Sequence, residues 1–356
     1  MNITKPTLLI DEAKCKTNIA KMVAIANRAH AILRPHFKTH QSAKIAGWFR
    51  EAGIDQCTVS SVSMAQYFAE NNWNDITIAF PYNPLEANEI NQLASVVELN
   101  ILLESEESLQ HAKDHLTEKA GFFIKIDVGT HRTGLDHKHA STISNLANTS
   151  SDQLTFKGFV AHAGHTYKTK SKKNVKSIFD EAKNILLPLK AKFGGILSYG
   201  DTPSCSMIED LSMYDEIRPG NFVFYDWMQH EIGSCNVDEI AVCLACPVVA
   251  LHPERNEVVI YGGAVHLSKD QVESNGETLF GKVARLKKSG WESELIGNVI
   301  RLSQEHGILQ LPDESLAELK VGDLIGIIPV HSCLTADLQG NYFSTNGEHI
   351  DKIIKN

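Results

Sequence analysis

No apolar stretch in the chain is long enough to span a bilayer as a helix. The first residues, Met1–Leu9, lack the basic flank and long apolar run of an export signal. The seven cysteines are scattered and odd in number, which excludes a disulfide framework and points to a reducing compartment. The expected location is therefore the cytoplasm, with no membrane partner. Aromatic residues make up only 7% and form no stacking array of the kind single-stranded nucleic acid needs. Positive charge is also in deficit: the formal net charge of -9 repels phosphate backbones, so no nucleic-acid partner is expected. There is no internal repeat and no low-complexity tract.

What the chain does have is an ordinary globular composition, with 43% hydrophobic and 22% charged residues over 356 positions. Short apolar runs at Ile32–Arg34, Cys57–Ser60, Ile76–Phe80, Ile101–Leu103, Phe122–Asp127, Gly158–Ala161, Ile196–Tyr199 and Phe222–Tyr225 read as strands. Amphipathic segments such as Asp11–Ala29, Ser42–Glu51, Ser105–Leu116 and Asn174–Lys192 lie between them. Eight alternations predict an α/β fold, a TIM-like (β/α)8 barrel, over residues 7–237. Beyond that point β-branched runs broken by Gly, Pro and Asn predict a smaller, mostly antiparallel β domain over residues 238–356, with residues 1–6 packing against it. The lysine-rich stretch Lys168–Lys176 reads as a solvated loop or helix start.

A barrel of this type carries its chemistry where the strands end. Strand one runs into Arg34-Pro35-His36-Phe37-Lys38-Thr39-His40, and a lysine desolvated near other cations becomes a nucleophile, although the segment alone reads more readily as a surface lysine beside structural histidines. The turns at Gly200–Ser204 and Pro219–Asn221 are candidate anion cradles, since barrels often hold phosphate around strands seven and eight; each is also an ordinary Gly/Pro turn. His331 and Cys333 follow the strand-like run Leu324–Val330, and a continuing strand would put both on one face. Imidazole plus thiolate suits zinc; a packed histidine and a buried cysteine is the bland alternative. Cys243 and Cys246 have C-x-x-C spacing without a second pair and read as core, Glu305-His306 as either supporting or turn residues, and His162 and His165 near the barrel mouth equally as orienting or as chemical groups.

Taken in order, RPHFKTH at Arg34–His40, IDVGTHRTGL at Ile126–Leu135, AHAGHTY at Ala161–Tyr167, GDTPS at Gly200–Ser204, EIRPGNFVFYD at Glu216–Asp226, SQEHG at Ser303–Gly307 and PVHSCLT at Pro329–Thr335 resemble the fold-type III pyridoxal-phosphate enzymes. The likeness is to the D-threonine aldolase and D-serine dehydratase branch, relatives of alanine racemase. One departure falls at Ser60–Met64, where an acidic residue is expected in this family.

The resemblance implies that Lys38 carries pyridoxal 5'-phosphate covalently. It implies that Arg132 lies beside the cofactor ring, that His36 lines the cofactor pocket, and that Tyr167 frames cofactor and substrate. Thr202, Gly220 and Asn221 would hold the phosphate, with Tyr225 nearby. It implies a homodimer. A His-x-Cys pair here is typical of the zinc-dependent dehydratases and His-x-Asp of the aldolases, so His331 and Cys333 point to zinc, or another divalent ion, and to dehydration. The expected activity is conversion of a small D-3-hydroxy amino acid to a 2-oxo acid and ammonia. An aldolase yielding glycine and an aldehyde, an amino-acid racemase, and a non-enzymatic cofactor carrier are the alternatives.

Overall fold

The computed structural model describes residues 2–149, 151–274 and 276–354. The chain divides into two compact units, one of residues 20–38 and 46–220, the other of residues 1–19, 39–45 and 221–356. In chain order the first strand is β1 (Thr7–Ile10). Then come β2 (Ile32–Leu33), β3 (Gln56–Val59), β4 (Asp75–Pro81), β5 (Glu98–Leu103), β6 (Ala120–Lys125), β7 (Leu154–Ala161), β8 (Ile196–Tyr199) and β9 (Glu216–Ile217).

Strands β2 to β9 form one all-parallel sheet in the order β2-β9-β8-β7-β6-β5-β4-β3. A parallel bridge between His36 and Thr58 joins its two ends, and the Thr58 hydroxyl donates to the Arg34 carbonyl at 3.1 Å. The sheet is thus a closed, TIM-like barrel of eight strands. Covered on both faces, its central strands carry no polar/apolar alternation: all six residues of β6 are buried. Helices fill the connections, several of them started by a side-chain cap. Ser105 caps Glu106–His115 with a reciprocal Ser108 bond, and Ser171 caps Lys172–Phe193, whose exposed lysines are solvated as expected.

Two sequence expectations need correction. The eighth barrel strand is Glu216–Ile217, not Phe222–Tyr225. Asn221–Val223 is a 3-10 turn, in which the Tyr225 N–H donates to the Asn221 carbonyl at 2.8 Å and Tyr225 takes a left-handed φ of 48°. The true strand is hard to see because it is short and its first residue is a buried carboxylate. Thr7–Ile10, grouped with the barrel by sequence, instead pairs antiparallel with Val242–Ala245.

The other unit is built on ten further strands. They are β10 (Val242–His252), β11 (Glu257–Tyr261), β12 (Val272–Ser274), β13 (Glu277–Leu279), β14 (Gly281–Lys287), β15 (Gly290–Leu302), β16 (His306–Gln310), β17 (Leu324–Pro329), β18 (Tyr342–Ser344) and β19 (His349–Ile350). The sheet order β11-β16-β15-β14-β17-β10, closed by pairing of β10 with β11, makes a mostly antiparallel barrel that β1, β18 and β19 extend. Cys243 and Cys246 are buried in β10, as the core reading required.

A polar ladder crosses the interior of the parallel barrel. The Arg34 guanidinium forks onto Asp75 at 2.6 and 2.8 Å and donates from Nε to Glu216 Oε2 at 2.6 Å. The Ser198 hydroxyl donates to Glu216 Oε1 at 2.5 Å, and Arg218 Nε donates to Ser198 Oγ at 2.6 Å. Arg218 also donates to the Ala161 carbonyl at 2.9 Å. Glu216 is 1% exposed, so removing it strands Arg34 without its buried counter-charge. Glu216→Ala is expected to destabilise the fold by about 3–5 kcal/mol in urea unfolding; a loss below about 1 kcal/mol would show that water reaches the ladder.

Candidate active site

Residues that the sequence places far apart gather just past the ends of the barrel strands. Lys38 lies in the 3-10 turn Phe37–Thr39 that follows β2, and its N–H donates to His36 Nδ1 at 3.4 Å. The turn is anchored by Phe37, fully buried against Phe49, Phe68 and Trp73. The His36 N–H donates to the Pro219 carbonyl at 2.9 Å, which ties this segment to the β9 end.

After β6 the chain folds back on itself. Asp127 accepts from the N–H groups of Gly129, Thr130 and His131 and from the His131 ring at 2.9 Å. Gly134, at a φ of 108°, approaches the Asp127 backbone so closely that a Cβ would sit 2.7 Å from its nitrogen. This loop carries Arg132, which is exposed. After β7, Tyr167 lies half-buried in the 3-10 turn Gly164–Lys168, its ring 6.5 Å from that of His162. After β8, Asp201 caps the helix Thr202–Met207 by accepting from the Ser204 N–H at 2.7 Å, and burial raises its carboxyl to about 6. The Thr202 hydroxyl is buried and has no hydrogen-bond partner among the described residues. Gly220 is half-buried after β9.

Two residues that sequence reasoning did not single out complete this end of the barrel. Lys125 is the last residue of β6 and is 6% exposed; burial, with Arg218 and Arg132 nearby, depresses its amine to about 7. Arg218 is lowered to about 10 by burial. The signal for Lys125 was a lone charge inside the apolar run Phe122–Ile126; Arg218 was hidden in a quoted segment as one more turn residue. Burial also holds His36 and His162 well below the usual imidazole range, reinforced at His36 by Lys38, Arg218 and Arg132, and at His162 by Lys125, Lys38 and Arg132. His162 Nδ1 faces the Gly200 carbonyl and so carries the proton. The two histidines are therefore neutral spacers among four cations.

In the other unit, His331 and Cys333 are brought together, but not as sequence periodicity proposed. β17 ends at Pro329; His331 is the N-terminal cap of the helix Ser332–Leu338 and Cys333 lies in its first turn. The strand cannot continue because Asp226 captures the Ser332 N–H at 2.9 Å and starts the helix. The far end is fixed by Lys352, whose ammonium donates to the carbonyls of Ala336, Asp337 and Gln339. Cys333 Sγ lies 3.3 Å from Thr39 Oγ1, and Asn221 Nδ2 donates towards it at 3.6 Å. The Asn221 side chain thus serves the His331/Cys333 segment. Tyr225 is buried in this unit. Among the described residues no group of three or more His, Cys, Asp and Glu is arranged to hold a metal.

Residues 10–226 match the family of the alanine racemase N-terminal domain, and residues 241–345 match the serine dehydratase domain family. The chain is 30% identical to the D-serine dehydratase of Dictyostelium discoideum over 98% of its own length and 95% of the relative's. The chain belongs to the D-serine dehydratase family. This is a branch of the alanine-racemase-like, fold-type III enzymes, and its members are pyridoxal-phosphate-dependent lyases. The D-threo-3-hydroxyaspartate dehydratase of a Delftia species is 25% identical, over 94% of this chain and 92% of the relative. Among solved structures, an alanine-racemase-like protein from Idiomarina loihiensis superposes with a TM-score of 0.91 at 26% identity, covering 99% of this chain and 98% of that one.

In this family's barrel the cation cluster has a measurable cost. The folded pKa of Lys125 is depressed from 10.5 to about 7, so the unfolded chain binds that proton more tightly between those values. Stability of the cofactor-free protein should therefore rise with pH from about 7 to 10.5 through this group. Lys125→Met should remove that rise and raise the melting temperature at neutral pH. Parallel stability–pH curves for the two proteins would mean that the amine is hydrated and unperturbed.

Proposed function

We propose that this chain removes water from a small D-3-hydroxy amino acid, such as D-serine, D-threonine or a 3-hydroxyaspartate, giving a 2-oxo acid and ammonia. Pyridoxal 5'-phosphate is held covalently by Lys38. The observation that carries this reading is the convergence of Lys38, Lys125, Arg132 and Arg218 at one end of the barrel, with the buried, unpartnered Thr202 hydroxyl beside the Gly200 turn. Such a site fits a dianionic phosphate and a carboxylate-bearing substrate, both of which offset the charge crowded there.

Thr202 and the backbone N–H groups of Gly220 and Asn221 bind the phosphate, with Tyr225 nearby. Arg132 lies by the ring. Tyr167 and His36 orient cofactor and substrate. Lys38, which would hold the cofactor, would also take the α-proton from one face through Nζ. When bound, the cofactor supplies an electron sink for the charge left at Cα. His331 and Cys333 hold a divalent ion, for which an imidazole and a thiolate make a zinc-type donor set. That ion supplies Lewis-acid help to the departing β-hydroxyl. The enzyme works as a homodimer in the cytoplasm.

Elimination is favoured over Cα–Cβ cleavage by the thiolate at position 333 and by the dehydratase names of the two relatives above. Incubation with D-serine and D-threonine should yield ammonia and 2-oxo acids; glycine and an aldehyde would establish the aldolase instead. Lys38→Ala should abolish the visible absorbance of bound cofactor and lower turnover by 10²–10⁴-fold or more, at roughly the scale of a lost proton-transfer group. A retained band would refute the lysine assignment. Cys333→Ala should lose zinc on dialysis together with elimination activity, and full activity in chelator-treated enzyme would remove the metal from the scheme.

A further inference from the structure

One fully buried carboxylate has no part in the chemistry above. Asp226 is 0% exposed, and no lysine or arginine pairs with it among the described residues. Its Oδ1 accepts from the Gln229 N–H at 2.9 Å. Its Oδ2 accepts from Asn221 Nδ2 at 2.6 Å, from the Ser332 N–H at 2.9 Å and from the Ser332 hydroxyl at 3.1 Å. The same oxygen lies 3.3 Å from His331 Nδ1, an ion-pair contact and not a fourth hydrogen bond on Oδ2. Asn221, already bound to Asp226, reaches on to Cys333 Sγ.

We propose that Asp226 is the positioning residue of the metal pair. Its charge draws the Nδ1 edge of the His331 ring towards Oδ2, so that Nε2 is the coordinating nitrogen, and through Asn221 it fixes the direction of the Cys333 thiolate. This rests on the reading that His331 and Cys333 bind a divalent ion. Asp226 does not act as a third ligand, because three donors already occupy Oδ2 and the helix start occupies Oδ1. A carboxylate behind a ligating imidazole orients the ring and raises the basicity of its other nitrogen, and loss of such a partner typically weakens metal binding about 10–100-fold.

The test is zinc affinity, measured by competition with a chromophoric chelator on the cofactor-loaded wild type, Asp226→Asn, His331→Ala and the double variant. Asp226→Asn should bind zinc about 10–100-fold more weakly while keeping the absorbance of bound cofactor. In the His331→Ala background it should cost little more, because the carboxylate acts through the ring. Wild-type affinity in Asp226→Asn, or fully additive losses in the double variant, would overturn the assignment. A wild type that takes up no zinc would instead overturn the metal reading itself. Since a buried carboxylate can be needed for folding, the wild type labelled with 15N-histidine gives a second measurement. Zinc should shift Nε2 of His331 and leave Nδ1 protonated; a zinc-shifted Nδ1 would sink the proposal.

Discussion

Glu216 is the constraint on which the parallel barrel turns. It is a buried carboxylate on the shortest class of strand, and one of its oxygens takes the Arg34 guanidinium while the other reaches Arg218 through the Ser198 hydroxyl. A charge in such a place is tolerated only when it is both paired and hydrogen-bonded. The Asp75–Arg34–Glu216–Ser198–Arg218 ladder meets both conditions, and in doing so it sets β9 between β2 and β8. The same ladder fixes Arg218, whose guanidinium also holds the Ala161 carbonyl where β7 ends. The closure of the barrel and the placing of Arg218 are therefore one arrangement.

Charge is distributed unequally along that ladder. The carboxylates Asp75 and Glu216 neutralise its Arg34 side, whereas Arg218, Lys125, Lys38 and Arg132 crowd its other side with two histidines held neutral. Basic side chains gathered so closely favour the binding of an anion. The proposed phosphate cofactor and substrate carboxylate supply that charge. In the unit that carries His331 and Cys333 a second buried acid, Asp226, plays a comparable role: its two oxygens hold the starts of two helices, through the N–H groups of Gln229 and Ser332.

Much of this was legible in the residues. The alternation of short apolar runs with amphipathic segments gave the eight-stranded barrel, because strands covered on both faces need no polar alternation. Lys38, Thr202 and Gly220 were found as residues at strand ends, and His331 with Cys333 as a spacing. The misses share a cause. β9 was overlooked because Glu216 looks like a surface residue until Arg34, 182 positions earlier, is beside it. Lys125 was read as part of an apolar run, and the side-chain bonds of Asn221 to Asp226 and Cys333 went unseen, because the partners lie on distant segments.

The sequence by itself determined the secondary-structure rhythm, the turn chemistry at the barrel end and the family. These depend on local propensity, hydrophobic period and ordered motifs, all written within a few neighbouring residues. Only the tertiary structure decided which short segment closed the barrel, which acids were buried against which bases, and whether His331 and Cys333 met on a strand or in the first turn of a helix. Those outcomes depend on charge burial and hydrogen bonding between residues tens to hundreds of positions apart, a distance over which linear pattern carries no information.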